Sequence, residues 1–140
     1  MITITRLHVR VVALVALFVL LAASVVPYLE RHGYLGETVA RASLWSHQGL
    51  LLPYWLLYSL GIVLMLIAIC GLVGTALLRD WGRRLLAVSF VANFALGPFQ
   101  GIVIHGPVGI FAVSTYGVLH FWLVVVTYWS PISETFNGRG

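Results

Sequence analysis

The chain contains no lysine, a single cysteine and only four carboxylates among its 140 residues. One thiol, Cys70, rules out an intramolecular disulfide and a four-thiolate zinc site within one chain. Charged residues make up 9% of the sequence, against about a quarter in an ordinary globular domain, too few to coat a water-soluble fold. Enzyme signatures are missing too: there is no G-x-S-x-G, no H-E-x-x-H, no G-x-x-x-x-G-K and no pair of acids at catalytic spacing. Ser114, Thr115 and Tyr116 place hydroxyls near His120, but neither an orienting third group nor an oxyanion site accompanies them. No catalysis and no cofactor are expected. Nor does any block of basic residues alternate with aromatics in a polar segment, so nucleic acid is not an expected partner.

What fills the chain instead is hydrocarbon. Hydrophobic residues reach 61% and gather into apolar runs at about 9–28, 50–78, 85–104 and 110–129. Twenty helical residues reach roughly 30 Å, the thickness of a bilayer's hydrocarbon core. The expected fold is therefore all-α and integral to the membrane: one domain over 1–140, a four-helix antiparallel transmembrane bundle threaded up-down-up-down. The first run resembles a secretory signal, but it is longer than a signal core and no A-x-A-like site follows, so it reads as an uncleaved span. The run over 50–78 is too long to cross upright and should tilt, with Pro53 in its first turn.

The eight arginines, behind a formal charge of +4, lie at the ends of the apolar runs or outside them, so they read as topology. By the positive-inside rule, Arg6 and Arg10 and the loop with Arg79, Arg83 and Arg84 belong in the cytoplasm. Both termini are then cytoplasmic, with the polar loop 29–49 and the His105 turn outside. A short surface helix over 37–45 is one reading of that loop. Tyr28, Trp45, Tyr54 and Trp55 would form an outer aromatic belt, and Trp81, Tyr128 and Trp129 an inner one.

The candidate site lies in the last two runs. Counted from the turn at Pro107, Asn93 and His120 fall at nearly equal depth, near the bilayer centre, where a hydrogen bond between them would satisfy both. Ser89, Asn93, Gly97 and Gln100 share one helical face, and Tyr116, His120 and Thr127 form a stripe on the next run. These intramembrane polar residues read as glue between helices, with a ligand site or proton relay as the sharper alternatives. Gly97 and Gly101 flank Pro98, which should kink the third run, and Gly71 and Gly74 with Thr75 offer a similar small surface for packing. His32, His47 and His105, with Glu30 and Glu37 as further ligands, could bind metal or haem on the outer side, although no H-x-x-x-H spacing marks them.

Gly71-Leu72-Val73-Gly74, Arg79-Asp80-Trp81-Gly82-Arg83-Arg84 and Tyr128-Trp129-Ser130-Pro131-Ile132-Ser133 together resemble an uncharacterised group of small bacterial four-span inner-membrane proteins. The resemblance covers roughly the second half of the chain. It implies a multi-pass protein of a bacterial inner membrane and contributes no functional residue. The leading functional expectation is an interaction or assembly subunit whose partners are the lipid bilayer and either itself or a larger membrane complex. The alternatives are a small dimeric transporter or channel running past Asn93, Gln100, Tyr116 and His120, and a haem or metal carrier.

Overall fold

The computed structural model describes residues 5–36, 52–99 and 106–136, and every regular element among them is helical. In order these are α1 (Arg6–Arg31), α2 (Tyr54–Ala76), α3 (Asp80–Leu96), a 3₁₀ turn (Gly97–Phe99), α4 (Pro107–Trp129) and the single turn α5 (Ser133–Phe136). The surface helix expected over 37–45 lies outside the described residues.

Each helix end has a local cause. Thr5 caps α1 by accepting the His8 backbone N–H, while its own N–H donates to His8 Nδ1 at 3.2 Å, so histidine completes a capping box usually closed by Glu or Gln. The 26 residues of α1 run through Pro27 to Arg31, beyond the expected 9–28. Pro53 stands at the N-cap of α2, one residue before the first turn, and its carbonyl accepts from Leu56 and Leu57. At the other end Arg79 N–H reaches the Gly74 carbonyl at 2.8 Å and Leu78 N–H the Thr75 carbonyl at 2.9 Å, a Schellman closure with Leu78 at φ 56°. Gly106 precedes α4 and Pro107 opens it, where a missing N–H costs nothing.

The third run departs most from expectation. A helix over 85–104 was expected; α3 starts at Asp80, five residues earlier, and stops at Leu96. Asp80 favours the early start, because a carboxylate suits the positive end of a helix and it pairs with Arg83 at 2.6 Å and with Arg84. Pro98 explains the early stop, since it lacks an N–H and crowds the preceding turn. Among the described residues, three helices are long and apolar enough to cross a membrane: Arg6–Arg31, Trp55–Ala76 and Pro107–Trp129. The 17 residues of α3 reach only about 26 Å.

The four long helices form a ring in which α2 lies between α1 and α3, and α4 between α3 and α1. Gly74 meets Gly82 while Gly71 meets Leu86, so α2 and α3 run antiparallel. Arg83 reaches Thr127 while Leu86 reaches His120, so α3 and α4 do as well. Glu30, at the end of α1, bonds the Gly106 N–H at the start of α4. The interior holds small and polar residues, Ala13, Ala16, Ala68, Thr75, Ser89 and Thr127, beside Leu72, Leu86 and Leu123. Large apolar side chains point outward, Phe18, Phe94 and Phe111 among them. Such a surface fits a lipid bilayer and would aggregate in water.

Candidate functional site

His120 is the polar centre of the bundle. It lies two turns before the end of α4, is 2% exposed, and faces α3 because the polar and small residues of both helices turn inward. Its Nε2–H donates to the Leu86 carbonyl at 2.9 Å, and Ser89 Oγ stands 3.4 Å from the same nitrogen. A carbonyl only accepts, so Nε2 carries the proton. Ser89 donates its own hydroxyl to the Leu86 carbonyl at 2.9 Å, which makes that oxygen the shared acceptor of helix and histidine. Phe90 meets the imidazole edge-on at 5.3 Å and Tyr116 lies tilted against it at 5.2 Å. Tyr116 Oη is buried without a hydrogen-bond partner, as is Thr75 Oγ1.

The expected hydrogen bond between Asn93 and His120 is not formed. Asn93 is exposed on the outside of α3, and its Nδ2 donates to the Ser89 carbonyl of its own helix at 2.8 Å. The reason is register. Counting from Pro107 centred the hairpin there, whereas Leu86 and Ser89 are the residues that face His120, which shifts the register by about one turn. His120 consequently meets Leu86 and Ser89, one turn below Asn93. In this antiparallel pair the step from Ser89 to Asn93 and the step from His120 to Tyr116 run the same way, so Asn93 comes about level with Tyr116, nine residues after Pro107 in the 23-residue α4. Gln100 lies outside the described residues, so the proposed polar stripe is seen only in part.

Of the packing glycines, Gly71 and Gly74 are buried in the seam between α2 and α3. A Cβ on Gly71 would stand 2.8 Å from the Leu86 nitrogen, and one on Gly74 2.6 Å from the Gly82 Cα. Gly97, expected inside the third span as a packing residue, instead follows the end of α3 in the 3₁₀ turn and faces open space, and Gly101 lies outside the described residues.

Among the described residues no three His, Cys, Asp or Glu side chains gather as a metal site. His32 is exposed, bonds the Tyr28 carbonyl through Nδ1 at 2.9 Å and lies on the Tyr28 ring at 4.1 Å. His47, His105 and Glu37 lie outside the described residues, and Glu30 is used elsewhere. Its carboxylate, 2% exposed, accepts the Gly106 N–H at 2.9 Å and so supplies negative charge to the N-terminus of α4.

Sequence reasoning missed three positions. Gly82 was read as loop, although it lies as far after the turn at Leu78 as Gly74 lies before it, and that symmetry points to their contact. Glu30 was weighed only as an optional ligand. Arg83 was read only as topology. It donates to Asp80 Oδ1 at 2.7 Å and to the carbonyls of Thr127 and Ser133 at 3.4 and 3.3 Å, lies over the Tyr128 and Phe136 rings, and so ties the α4–α5 corner to α3. No protein-family model, curated protein or solved structure matches the chain.

Proposed function

We propose that the chain is an interaction or assembly subunit that works by docking within the bilayer and carries out no reaction of its own. In this reading it crosses a bacterial inner membrane four times, up-down-up-down, with both termini cytoplasmic. The fourth crossing is assigned to the third apolar run, of which α3 is the described part, and the arginine distribution and the resemblance to small bacterial four-span proteins support the orientation and location.

One observation carries the docking role. Asn93 stands on the outer surface near mid-depth, beside Val91 and Phe94, which are 65% and 82% exposed. A carboxamide in contact with acyl chains is unfavourable, and intramembrane polar residues are ordinarily turned toward protein. A partner helix on α3 would supply that protein. The test is crosslinking in native membrane followed by recovery of the tagged chain under mild detergent. A stable partner or self-dimer whose recovery falls in Asn93→Leu is expected; a lone monomer in both overturns the reading.

A transport role is the second reading, favoured by the unpartnered Tyr116 Oη in the middle of the bundle. Asn93 and His120 lie on opposite sides of α3's wall, outside and inside, which counts against a single path past both. If purified protein in liposomes moves a solute and His120→Ala leaves the flux unchanged, His120 is not on the route.

A further inference from the structure

The arginines at the end of the bundle where α1 begins fall into two sets. Arg83 and Arg84 both close on Asp80, and Arg83 spends further donors on the Thr127 and Ser133 carbonyls. Arg6, Arg10 and Arg79 are exposed, and among the described residues no hydrogen bond or ion pair engages their guanidinium groups. Glu134, the other described acid at this end, pairs with none of them.

Nothing within the fold favours these three side chains. Arg6 and Arg10 lie one turn apart on the same face of α1, so they repel each other, and no acid stands in the first turn of that helix to offset them. In α3 the ordinary arrangement is seen, with Asp80 in the first turn beside its arginines. The positive-inside rule sets the sign of this end, but it holds equally for arginines that have acids as neighbours.

The surroundings select the kind of anion. α1 and α2 pack side by side, and α1 begins where α2 ends, so Arg6, Arg10 and Arg79 border one edge of the bundle. Leu7 and Leu77 are exposed beside them. The Trp81 ring lies against Gly74 of α2, 2.6 Å from where a Cβ would stand, and remains 47% exposed two residues after Arg79. A free phosphate would use the guanidinium groups and none of this apolar surface. A zwitterionic headgroup brings a cation of its own into the field of three unpaired arginines. A phospholipid of net negative charge matches both features, its phosphate among the arginines and its acyl chains on the leucines and the indole.

We propose that the α1–α2 edge of the arginine-rich end is a binding site for an anionic phospholipid whose phosphate is held by Arg6, Arg10 and Arg79. The site goes beyond the docking reading and depends only on this end lying at headgroup level.

The test reconstitutes the full chain in phosphatidylcholine bilayers at low salt and compares spin-labelled phosphatidylglycerol with spin-labelled phosphatidylcholine by the fraction of each immobilised at the protein surface. A preference for phosphatidylglycerol that weakens at high salt is expected. Arg6→Gln, Arg10→Gln and Arg79→Gln should each lower it roughly two- to fivefold, the upper value being the full attraction of one arginine to an anionic surface. Arg6→Lys/Arg10→Lys keeps the charge and should retain most of the preference, which separates loss of the site from loss of the fold. Arg31 is exposed at the opposite end, and Arg31→Gln should leave the preference unchanged. An equal loss in Arg31→Gln would make the preference one of net charge and overturn the proposal, as would the absence of any preference. Millimolar inorganic phosphate at fixed ionic strength should not compete; if it abolishes the preference, the arginines hold free phosphate and the lipid is the wrong ligand.

Discussion

At the scale of residues, one methyl group should have opposite effects at two glycines. Gly82 sits against the backbone of Gly74 and Thr75, so a Cβ there overlaps main-chain atoms that cannot rotate away. Gly82→Ala should push α2 and α3 apart and lower stability by about 1–3 kcal/mol, the usual cost of overpacking. Gly117, inside α4, has open space where its Cβ would stand. Gly117→Ala should raise stability by up to about 1 kcal/mol through helix propensity alone. Unfolding of the two variants in mixed micelles checks both signs, and equal effects would show that the seam is not closed at Gly82. Gly71 and Gly74 were legible as a small surface because their spacing puts them on one face. Their partner was not, since Gly82 sits in a charged hexapeptide that reads as loop. His120 shows the complementary failure: its depth was legible, but its partner depended on where the chain reverses, and a single helical turn exchanges Ser89 for Asn93.

At the scale of elements, α5 is a single turn with too few internal bonds to persist alone, so its position depends on what holds it. Ile132 and Phe136 are buried in the core cluster that also holds Val9 of α1, and Arg83 spans from Asp80 to the Ser133 carbonyl across the Phe136 ring. Arg83→Lys keeps the charge but loses the planar fork that reaches three acceptors at once. Hydrogen exchange should show the amides of 133–136 losing protection by roughly tenfold, about 1.4 kcal/mol, while α4 is unchanged. Protection that survives would mean that apolar burial alone fixes the turn. The limits of sequence reading also show here. Apolar runs locate α1, α2 and α4 to within a few residues, because a long helix in lipid needs only length and hydropathy. The bounds of α3 depend instead on charge pairing at Asp80 and steric exclusion at Pro98, and neither alters hydropathy. Leu78 is less legible still: the left-handed region costs an L residue about 1–2 kcal/mol, and leucine tolerates it here with its side chain packed on the core.

At the scale of the molecule, the two ends differ in charge. The antiparallel pairing puts Arg6 and Arg10 at the same end as Arg79, Arg83 and Arg84, where the acids among the described residues are Asp80 and Glu134. At the opposite end Glu30 offsets Arg31. Trp55 and Tyr28 ring that end, and Trp81 and Trp129 the arginine-rich one, all exposed at the level where headgroups would stand. If positive charge sets the orientation, an impermeant maleimide applied to intact cells should label Tyr34→Cys but not Arg79→Cys, each in a Cys70→Ala background. Permeabilisation should then expose Arg79→Cys. Reversed labelling would invert the orientation, and labelling of both from one side would mean that α2 does not cross. The rule makes a further demand: replacing Arg79 and Arg84 with glutamine leaves the Arg83 clamp intact but weakens the bias, so a fraction of chains should insert with Arg79-side residues outside. An orientation indifferent to that change would assign topology to hydropathy order alone.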